Sequence, residues 1–290
     1  MIKINKILEK IKLFFFSRAF NKKPISTFFN IVLFFFLILI KKQKKFSIRF
    51  GKNKFYLIIK NFNEGFGTRG LFIFREYYEP LLEFGHNFLK DGDTILDIGA
   101  NYGVYCLAFS SIGQNTKIIA VEPFNFYKNI ITENAKINKF KNISFINKVV
   151  SNHNGFCNLD YSRSYTTASI IKKFKLKKKI KKVKSITIDN LIKKLNIKKL
   201  NFIKMDIEGA ELLALKGAKK TIKKFLPTIA MECSIKDYIK IKLYKNYKKF
   251  ILTAEGELKQ NSFLNKDQST VILIHNSKLK KNSQFLNSSF

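Results

Sequence analysis

The residues most able to do chemistry lie in a short glycine-containing segment, DIGANYG, which spans Asp97 to Gly103. The segment directly follows an apolar run and opens a predicted helix, and ligands of open α/β sheets bind beyond the carboxyl ends of strands. Gly99 and Gly103 allow a tight turn and a close approach of the backbone to a bound molecule. A carboxylate such as Asp97 would repel a pyrophosphate. The segment therefore favours a cofactor with a cationic amino-acid end and no phosphate.

Glu122 ends the next apolar run, about 20 residues after these glycines. A carboxylate at this place can accept both hydroxyl groups of a ribose. The glycine spacing is G-x-x-x-G, so the third glycine of the dinucleotide-binding pattern is absent. Asp97, Gly99, Gly103 and Glu122 together describe a pocket for S-adenosyl-L-methionine better than a pocket for NAD. An NAD-dependent oxidoreductase is the nearest enzymatic alternative.

A second acidic segment, KMDIEGAELLALKGA, spans residues 204–218. Asp206 ends a predicted strand and Glu208 follows two residues later, so we expect both at the same edge of the sheet as Asp97. Two carboxylates beside a cofactor site favour substrate-binding or general-base roles, and Glu208 is our first candidate for the base, followed by Asp206. Glu208 and Glu211 could instead stabilise the start of a helix.

Two further residues are weaker candidates. Glu232 adds an acid at the end of an adjacent predicted strand, and a divalent ion could replace the general base if Glu232 and Asp206 converge. We nevertheless predict no metal site. His153, in the loop SNHNG, is a third candidate base, although a single loop histidine is more often a surface residue.

The elements that must position these residues alternate between strands and helices after about residue 47. Strands are predicted at residues 54–60, 94–98, 117–121, 143–149, 201–205, 228–232, 250–254 and 270–275. Helices are predicted at residues 76–89, 104–111, 124–138, 189–195, 210–225 and 236–247. Short apolar runs between helices are typical of strands buried on both faces of a parallel sheet. The pattern predicts a doubly wound α/β sheet with right-handed crossovers.

The composition excludes several classes of protein. With 46% hydrophobic and 26% charged residues in 290, the chain is not a disordered protein. The excess of 55 Lys+Arg over 20 Asp+Glu points to nucleic acid or an anionic membrane. Only five of the basic residues are arginine, so nucleic acid is the weaker partner. Three cysteines without CxxC spacing favour a reducing compartment over a disulfide framework or a structural zinc site.

The first 44 residues differ from the rest because they combine lysines with apolar runs. Phe14–Phe16 form a short patch, and a second run extends from Ile25 to Ile40, with Lys41 and Lys42 directly after it. Sixteen helical residues reach about 24 Å, less than the roughly 30 Å of a bilayer core. Three placements remain open: a short or tilted anchor, a helix lying in the membrane interface, and a helix packed on the domain. Residues 172–184, rich in lysine, are interpreted as a loop or an edge strand.

Several segments, in order and spacing, resemble the FkbM-type S-adenosylmethionine-dependent methyltransferases. They are DTILDIGANYGVY, AVEPFNFYKNIITENAKIN, ITIDNLIKK, NFIKMDIEGAELLALKGA and PTIAMECS. The resemblance implies a class I methyltransferase fold, Rossmann-like, with a mostly parallel seven-stranded sheet flanked by helices. It also implies that Asp97, Gly99, Ala100, Asn101 and Gly103 form the cofactor loop, that Glu122 binds the ribose, and that Asp206 and Glu208 are an acidic pair. Glu79 matches an acid expected to help cover the pocket.

The resemblance implies an O-methyltransferase that acts on a hydroxyl of a sugar, glycan or related metabolite, which could be lipid-linked. A methyltransferase that modifies RNA is the alternative that uses the basic surface. We divide the chain into an N-terminal arm (1–44), a cap segment (45–93), the methyltransferase domain (94–276) and a polar tail (277–290). We expect a cytoplasmic protein, with the arm on the anionic inner face of the cell membrane.

Overall fold

An eight-stranded mixed sheet forms the centre of the protein. The computed structural model describes residues 17–40, 44–59, 66–162, 164–170, 179–241, 244–260 and 269–279. Several segments considered in the sequence lie outside these ranges: Phe14–Phe16, Lys41, Lys42, residues 172–178 of the lysine-rich stretch, and most of the predicted tail. The strands are β1 (Lys44–Phe50), β2 (Asn53–Ile59), β3 (Thr94–Ile98), β4 (Lys117–Val121), β5 (Ile143–Ile146), β6 (Val149–Val150), β7 (Gly155–Asp160), β8 (Ser169–Ile170), β9 (Ile180–Ile186), β10 (Phe202–Met205), β11 (Thr228–Cys233), β12 (Tyr247–Leu252), β13 (Leu258–Lys259) and β14 (Ser269–His275).

The strand order of the main sheet is β13-β12-β14-β11-β10-β3-β4-β5. Strands β5, β4, β3, β10 and β11 run parallel, whereas β14, β12 and the two-residue β13 pair antiparallel. Every residue of β3 is buried, as the apolar run predicts for a central parallel strand. The predicted class I methyltransferase fold is confirmed. The central sheet has β13 in addition to the seven predicted strands.

Helices cover the sheet on both faces. They are α1 (Arg18–Lys22), α2 (Pro24–Leu39), α3 (Phe66–Phe74), α4 (Pro80–Phe88), α5 (Val104–Ser110), α6 (Phe126–Ile137), α7 (Ile188–Lys194), α8 (Glu211–Lys216), α9 (Lys219–Phe225), α10 (Ile235–Lys240) and α11 (Asn276–Leu279). Alternate residues of a strand point to opposite faces. Accordingly, Ile95 of β3 belongs to one core together with α4 and α5, and Leu96 belongs to a second core with α7 and α9.

A second, four-stranded sheet of order β6-β9-β7-β8 is formed by the segment of the chain between β5 and β10. Strands β7 and β8 were not predicted from the sequence, and the one strand predicted over residues 143–149 corresponds to β5 and β6 in the structure. The expected edge position of the lysine-rich stretch is also wrong for β9, which pairs with both β6 and β7. The burial pattern of β9 is compatible with its lysines, because all three are exposed, whereas Val183, Ser185 and Ile186 are buried.

Three predicted helices have different limits in the structure. The helix predicted over residues 76–89 is divided in two: a short 3-10 helix spans Arg75–Tyr77, and α4 follows because Pro80 starts a new helix at its first position. Residues 210–225 divide into α8 and α9 at Gly217. The Gly217 carbonyl accepts a hydrogen bond from the backbone N–H of Asp189 in α7. The helix predicted over 236–247 ends at Lys240, and Tyr247 begins β12 instead.

Helix α2 and the β1–β2 hairpin precede the main sheet and share its core. Phe34 of α2 and Phe46 of β1 both contact the ring of Phe72 in α3. Among the three placements considered for the apolar run 25–40, the structure shows a helix packed on the domain along one face. Within the described ranges, no helix is long and apolar enough to cross a bilayer.

Candidate active site

The carboxyl ends of β3, β4 and β10 meet at one cleft. Gly99 and Asn101 after β3, Glu122 after β4, and Asp206 and Glu208 after β10 all line it. Most of the facing residues lie in the small sheet and its connecting loop: Val149, Val150, Leu159, Tyr165, Thr166, Ala168 and Ile170. The cleft thus has an acidic floor and a largely apolar cover, with about 60 Å³ of free space between them.

The loop after β3 is tied closely to the loop after β10. Gly99 has a φ of +75°, and a Cβ added there would lie 2.0 Å from the Asp206 carbonyl oxygen. A Cβ at Gly103, with a φ of +77°, would lie 2.5 Å from Cγ1 of Ile131 in α6. The contacts that demand glycine at both positions are therefore made within the protein. The tight turn that was expected at these glycines is present, and the approach of a cofactor to them stays a prediction.

Asp97 is fully buried and does not line the cleft. Its Oδ1 lies 3.3 Å from Nζ of Lys204, and its Oδ2 accepts a hydrogen bond of 3.1 Å from the Cys106 thiol. Burial and the neighbouring carboxylate raise the pKa of Cys106, so the thiol keeps its proton and remains a donor. The carboxylate is thus engaged by Lys204 and Cys106 inside the protein. Its contact with a cofactor stays a prediction.

Lys204 connects the two acidic segments. Besides Asp97, its Nζ donates a hydrogen bond of 3.1 Å to the Gly99 carbonyl and lies 3.8 Å from Oδ2 of Asp206. Burial opposes the charge of Lys204, but Asp97, Asp206 and Glu79 raise its pKa above the ordinary value, so the ammonium stays charged. Lys204 was not among the site residues predicted from the sequence. The available signal was a charged residue inside the otherwise apolar strand NFIKM.

The Glu122 carboxylate links the turn after β3 to the segment that follows β4 through two hydrogen bonds. Its Oε2 accepts the Asn101 backbone N–H and its Oε1 accepts the Phe124 backbone N–H, both at 3.1 Å. Burial raises the pKa of Glu122 to about 7 despite these two hydrogen bonds. A carboxylate has about four acceptor sites, so Glu122 retains capacity for a ligand.

Asn101 adds a second polar group to this part of the cleft. Its φ of +49° lies in the left-handed region, which asparagine tolerates better than most residues. Its side-chain Oδ1 is buried and has no hydrogen-bond partner among the described residues. Since buried polar atoms are normally paired, this oxygen is a ready acceptor for a ligand donor.

Asp206 and Glu208 stand on the opposite side of the cleft floor. The Asp206 side chain is 44% exposed, and Glu208 is half-buried. Glu208 has a φ of +53°, which a non-glycine residue adopts at an energetic cost. The neighbouring Glu211 has a structural role, because it accepts the Ile207 N–H at 3.0 Å, as expected of a helix-start carboxylate.

A group of acids lies around Lys204 beside the cleft. The Tyr105 hydroxyl donates to Glu79, and burial raises the pKa of both groups. Burial, followed by the charges of Asp206 and Glu208, raises the pKa of Glu232 to about 7. In the described residues, no cluster of three or more His, Cys, Asp or Glu has the geometry to hold a metal ion.

His153 lies apart from this arrangement. Its side chain is exposed, and its ring nitrogens face Asn152 Oδ1 at 3.1 Å and the Phe156 carbonyl at 3.3 Å. It is not among the residues that line the cleft. Of the eight predicted site residues, the cleft unites Gly99, Asn101, Glu122, Asp206 and Glu208, whereas Asp97, Ala100 and Gly103 lie behind it.

Comparisons with solved structures give distant similarities. Methyltransferase FkbM from Methylobacillus flagellatus KT is 16% identical with a TM-score of 0.45, over 71% of this chain and 52% of that chain. The chain thus spans about half the length of that protein. An rRNA methylase from Streptococcus thermophilus is 10% identical, with a TM-score of 0.42, over 68% of this chain and 96% of that chain. A putative methyltransferase from Streptococcus mutans, in complex with SAH, is 10% identical with a TM-score of 0.40, over 67% and 97%.

Comparison with curated protein sequences gives no significant match. Comparison with protein families does: residues 97–263 match the Methyltransferase FkbM domain. That region exceeds half of the 290 residues and contains both acidic segments as well as Glu122. The match confirms the family resemblance that was drawn from the two acidic segments. In the structure these two segments are linked by Lys204. The chain belongs to the FkbM methyltransferase family.

Proposed function

We propose that the protein transfers a methyl group from S-adenosylmethionine to a hydroxyl group of a sugar, glycan or related metabolite. One observation carries the proposal: Gly99, Asn101, Glu122, Asp206 and Glu208 converge from three strand ends on one cleft. In an open α/β sheet this edge is where ligands bind. Family membership supports the reaction type, and the cleft supplies residues suited to it.

The residues of the cleft fit the proposed cofactor. Glu122 would accept the ribose hydroxyls, and the unpaired Oδ1 of Asn101 offers a further acceptor. The apolar Val149, Leu159 and Ile170 would contact the adenine ring. When bound, S-adenosylmethionine supplies a methyl group on a positively charged sulfur. The carboxylates of Asp206 and Glu208 favour such a positive charge.

The cover of the cleft must shift to admit a molecule of this size. Ligand pockets usually enclose about 300–1,000 Å³, whereas the free space here is about 60 Å³. Tyr165 is the main aromatic residue of the cover, and its ring contacts those of Phe124, Phe126 and Tyr161. Outward movement of Tyr165 with its loop would enlarge the cleft while leaving Glu122 and Asn101 in place.

The chain must also activate the acceptor hydroxyl, which is a weak nucleophile. Glu208 would take its proton as the oxygen attacks, and Asp206 is the second candidate for this role. Such general-base catalysis contributes roughly 10²–10⁴-fold to a rate. The costly backbone conformation of Glu208 supports its assignment, since strain of this kind clusters at functional sites. Holding the reacting groups in line without water would supply much of the remaining acceleration.

Cells that lack the protein provide the test of the acceptor class. Mass spectrometry of their glycans should show the loss of a single methyl group from a sugar. The wild-type protein should restore the methyl group, and the Glu255→Gln control, which changes an exposed turn residue, should restore it as well. Glu208→Gln should not restore it. Unchanged glycans in the deletion strain would exclude a glycan acceptor, and full restoration by Glu208→Gln would remove Glu208 from the mechanism.

A further inference from the structure

Helix α2 has two apolar faces, and in the described part of the chain only one of them is covered. Thr27, Phe34 and Leu37 are buried against the domain. The opposite face exposes Ile25, Phe28, Phe29, Val32, Phe35, Phe36 and Leu39, each by 51–80%. These positions recur every three or four residues, so they form one stripe along the whole helix. We call this stripe the outer face of α2. Exposed apolar patches of this kind mark interaction surfaces.

Polar contacts fix the orientation of the helix. Asn30 donates to the Ile73 carbonyl at 3.1 Å and accepts a hydrogen bond of 3.1 Å from the Arg75 guanidinium. The Thr27 hydroxyl, on the same side, lies 3.1 Å from the Ala19 carbonyl. Turning the outer face inward would break these bonds and expose Phe34 and Leu37. The outer face therefore needs a partner outside the described fold.

The charge around α2 indicates the chemistry of that partner. From Lys10 to Asn63 the chain has 13 Lys and Arg residues and no Asp or Glu. Lys22 is exposed at the start of the helix, and Lys45, Arg49, Lys52 and Lys54 are exposed on the hairpin that follows. Helix and hairpin are held together because Phe72 packs against both. Glu76 and Glu83 lie beside the helix and pair with Lys23 and Arg18, but these two acids are outnumbered by the five exposed basic residues. An apolar stripe flanked by this basic surface matches a partner that is anionic outside and apolar beneath.

We propose that the outer face of α2 docks on an anionic lipid bilayer, with the helix lying in the plane of the membrane interface. Its 16 residues are too short to span the bilayer core but suffice to bury one apolar face below the headgroups. The lysines and arginines beside it would contact the headgroups, which attract basic segments. The proposal is independent of the methyl-transfer reaction proposed above.

A second copy of the chain fits the outer face less well. A symmetric pair would place the same patch of each subunit against the other. The exposed basic residues around α2 would then approach each other, while the nearby Glu76 and Glu83 already pair with Lys23 and Arg18 of their own chain. Like charges brought together across an interface are costly. A bilayer with anionic headgroups offers both an apolar layer for the outer face of α2 and negative charge for the basic residues around it.

A tryptophan reporter in the full-length chain tests the proposal. The chain contains no tryptophan, so Phe36→Trp places a single fluorophore on the outer face. With vesicles of phosphatidylcholine and phosphatidylglycerol, its emission should shift to shorter wavelength, and high salt should reduce the binding. Partitioning into these vesicles should be at least about 10-fold stronger than into pure phosphatidylcholine. Phe156→Trp, at an exposed position of β7, should bind equally but keep the emission of a water-exposed ring.

Two serine substitutions test whether vesicle binding depends on the apolar outer face or only on the positive charge of the chain. The double variant Phe28→Ser/Phe35→Ser should lose at least about 10-fold in vesicle binding, since both rings are exposed and available to the lipid. The matched control Phe156→Ser/Ile239→Ser alters two other exposed apolar residues and should bind normally. Thermal unfolding should show all variants folded. The proposal is overturned by full binding of the Phe28→Ser/Phe35→Ser variant, by equal binding to neutral vesicles, or by lipid-free self-association that this variant abolishes.

Discussion

Asp97 and Lys204 are paired both through the backbone and through their side chains. They are direct neighbours in the register of β3 and β10, and their charged groups lie 3.3 Å apart in the interior. Asp97 begins the first acidic segment and Lys204 begins the second. Through its further bond to the Gly99 carbonyl, Lys204 holds the cleft-lining loop against the central strand. The family's two characteristic segments are therefore one structural unit.

Removal of this buried cation should destabilise the protein strongly. Lys204→Met leaves Asp97 as a buried charge beside the Cys106 thiol, a weak donor, and such a loss costs about 3–5 kcal/mol of unfolding free energy. The matched control is Lys199→Met, which removes a lysine that pairs with Asp93 at 3.2 Å and is 56% exposed. That variant should change the unfolding free energy by less than about 1 kcal/mol. Similar urea midpoints for both variants would contradict the structural role of Lys204.

Gly99 should be replaceable only at a high cost. Gly99→Ala combines an unfavourable φ with a Cβ directed at the Asp206 carbonyl, so it should separate the two loops of the cleft. Gly92→Ala is the matched control, because its φ is +82° and nothing lies within 4 Å of the added Cβ. The control should lose about 1–2 kcal/mol from the backbone alone. Gly99→Ala should lose about 1–3 kcal/mol more from overpacking. If urea unfolding shows equal losses of unfolding free energy for both variants, the loops at Gly99 and Asp206 can move apart to accept the added Cβ.

The sequence predicted much of the main sheet and the positions of the acids, because both depend on local patterns. Glu122, Asp206 and Glu208 follow apolar runs, and parallel strands place such residues at one edge. The partner of Asp97 was not predictable in this way, because Lys204 is over 100 residues away and its role depends on strand order. The cover of the cleft was also missed, since the alternation in β7 covers only the four residues from Cys157 to Asp160 and β8 has only two residues. Gly103 was predicted correctly as a constrained position, but Ile131, its neighbour, belongs to a distant helix.

The stability of the protein should fall as the pH rises through the titration of Glu211. Burial raises its pKa from 4.5 to about 7. Between these values the folded state holds a proton that the unfolded state has released, so stability decreases with pH by up to about 1.4 kcal/mol per unit. The stabilisation is complete below pH 4.5 and is lost through pH 7. Glu211→Gln keeps an acceptor for the Ile207 N–H and should make the profile of melting temperature against pH less steep, while Glu122 and Glu232 continue to contribute to the slope. A profile as steep as that of the wild-type protein would exclude Glu211 as a source of the slope.

Cofactor binding should strengthen as the pH rises through about 7. Burial raises the pKa of Glu122 to this value, and only the ionised carboxylate can accept both hydroxyls of a ribose. Below pH 7 the dissociation constant for S-adenosylmethionine should increase by up to about 10-fold per unit, as for one coupled proton. Glu122→Gln should bind more weakly and show little dependence between pH 6 and 8. An unaltered pH dependence in that variant would assign the titration to another group.

The central claim is that the cleft between Glu122, Asn101 and Glu208 binds S-adenosylmethionine. Isothermal titration calorimetry of the folded, full-length protein with S-adenosylmethionine, repeated at two temperatures, tests it directly. We expect one binding site per chain, a dissociation constant in the micromolar range, and loss of binding in Glu122→Ala but not in Glu255→Ala. Absence of a binding heat at both temperatures, or equal binding by the Glu122→Ala variant, would contradict the account.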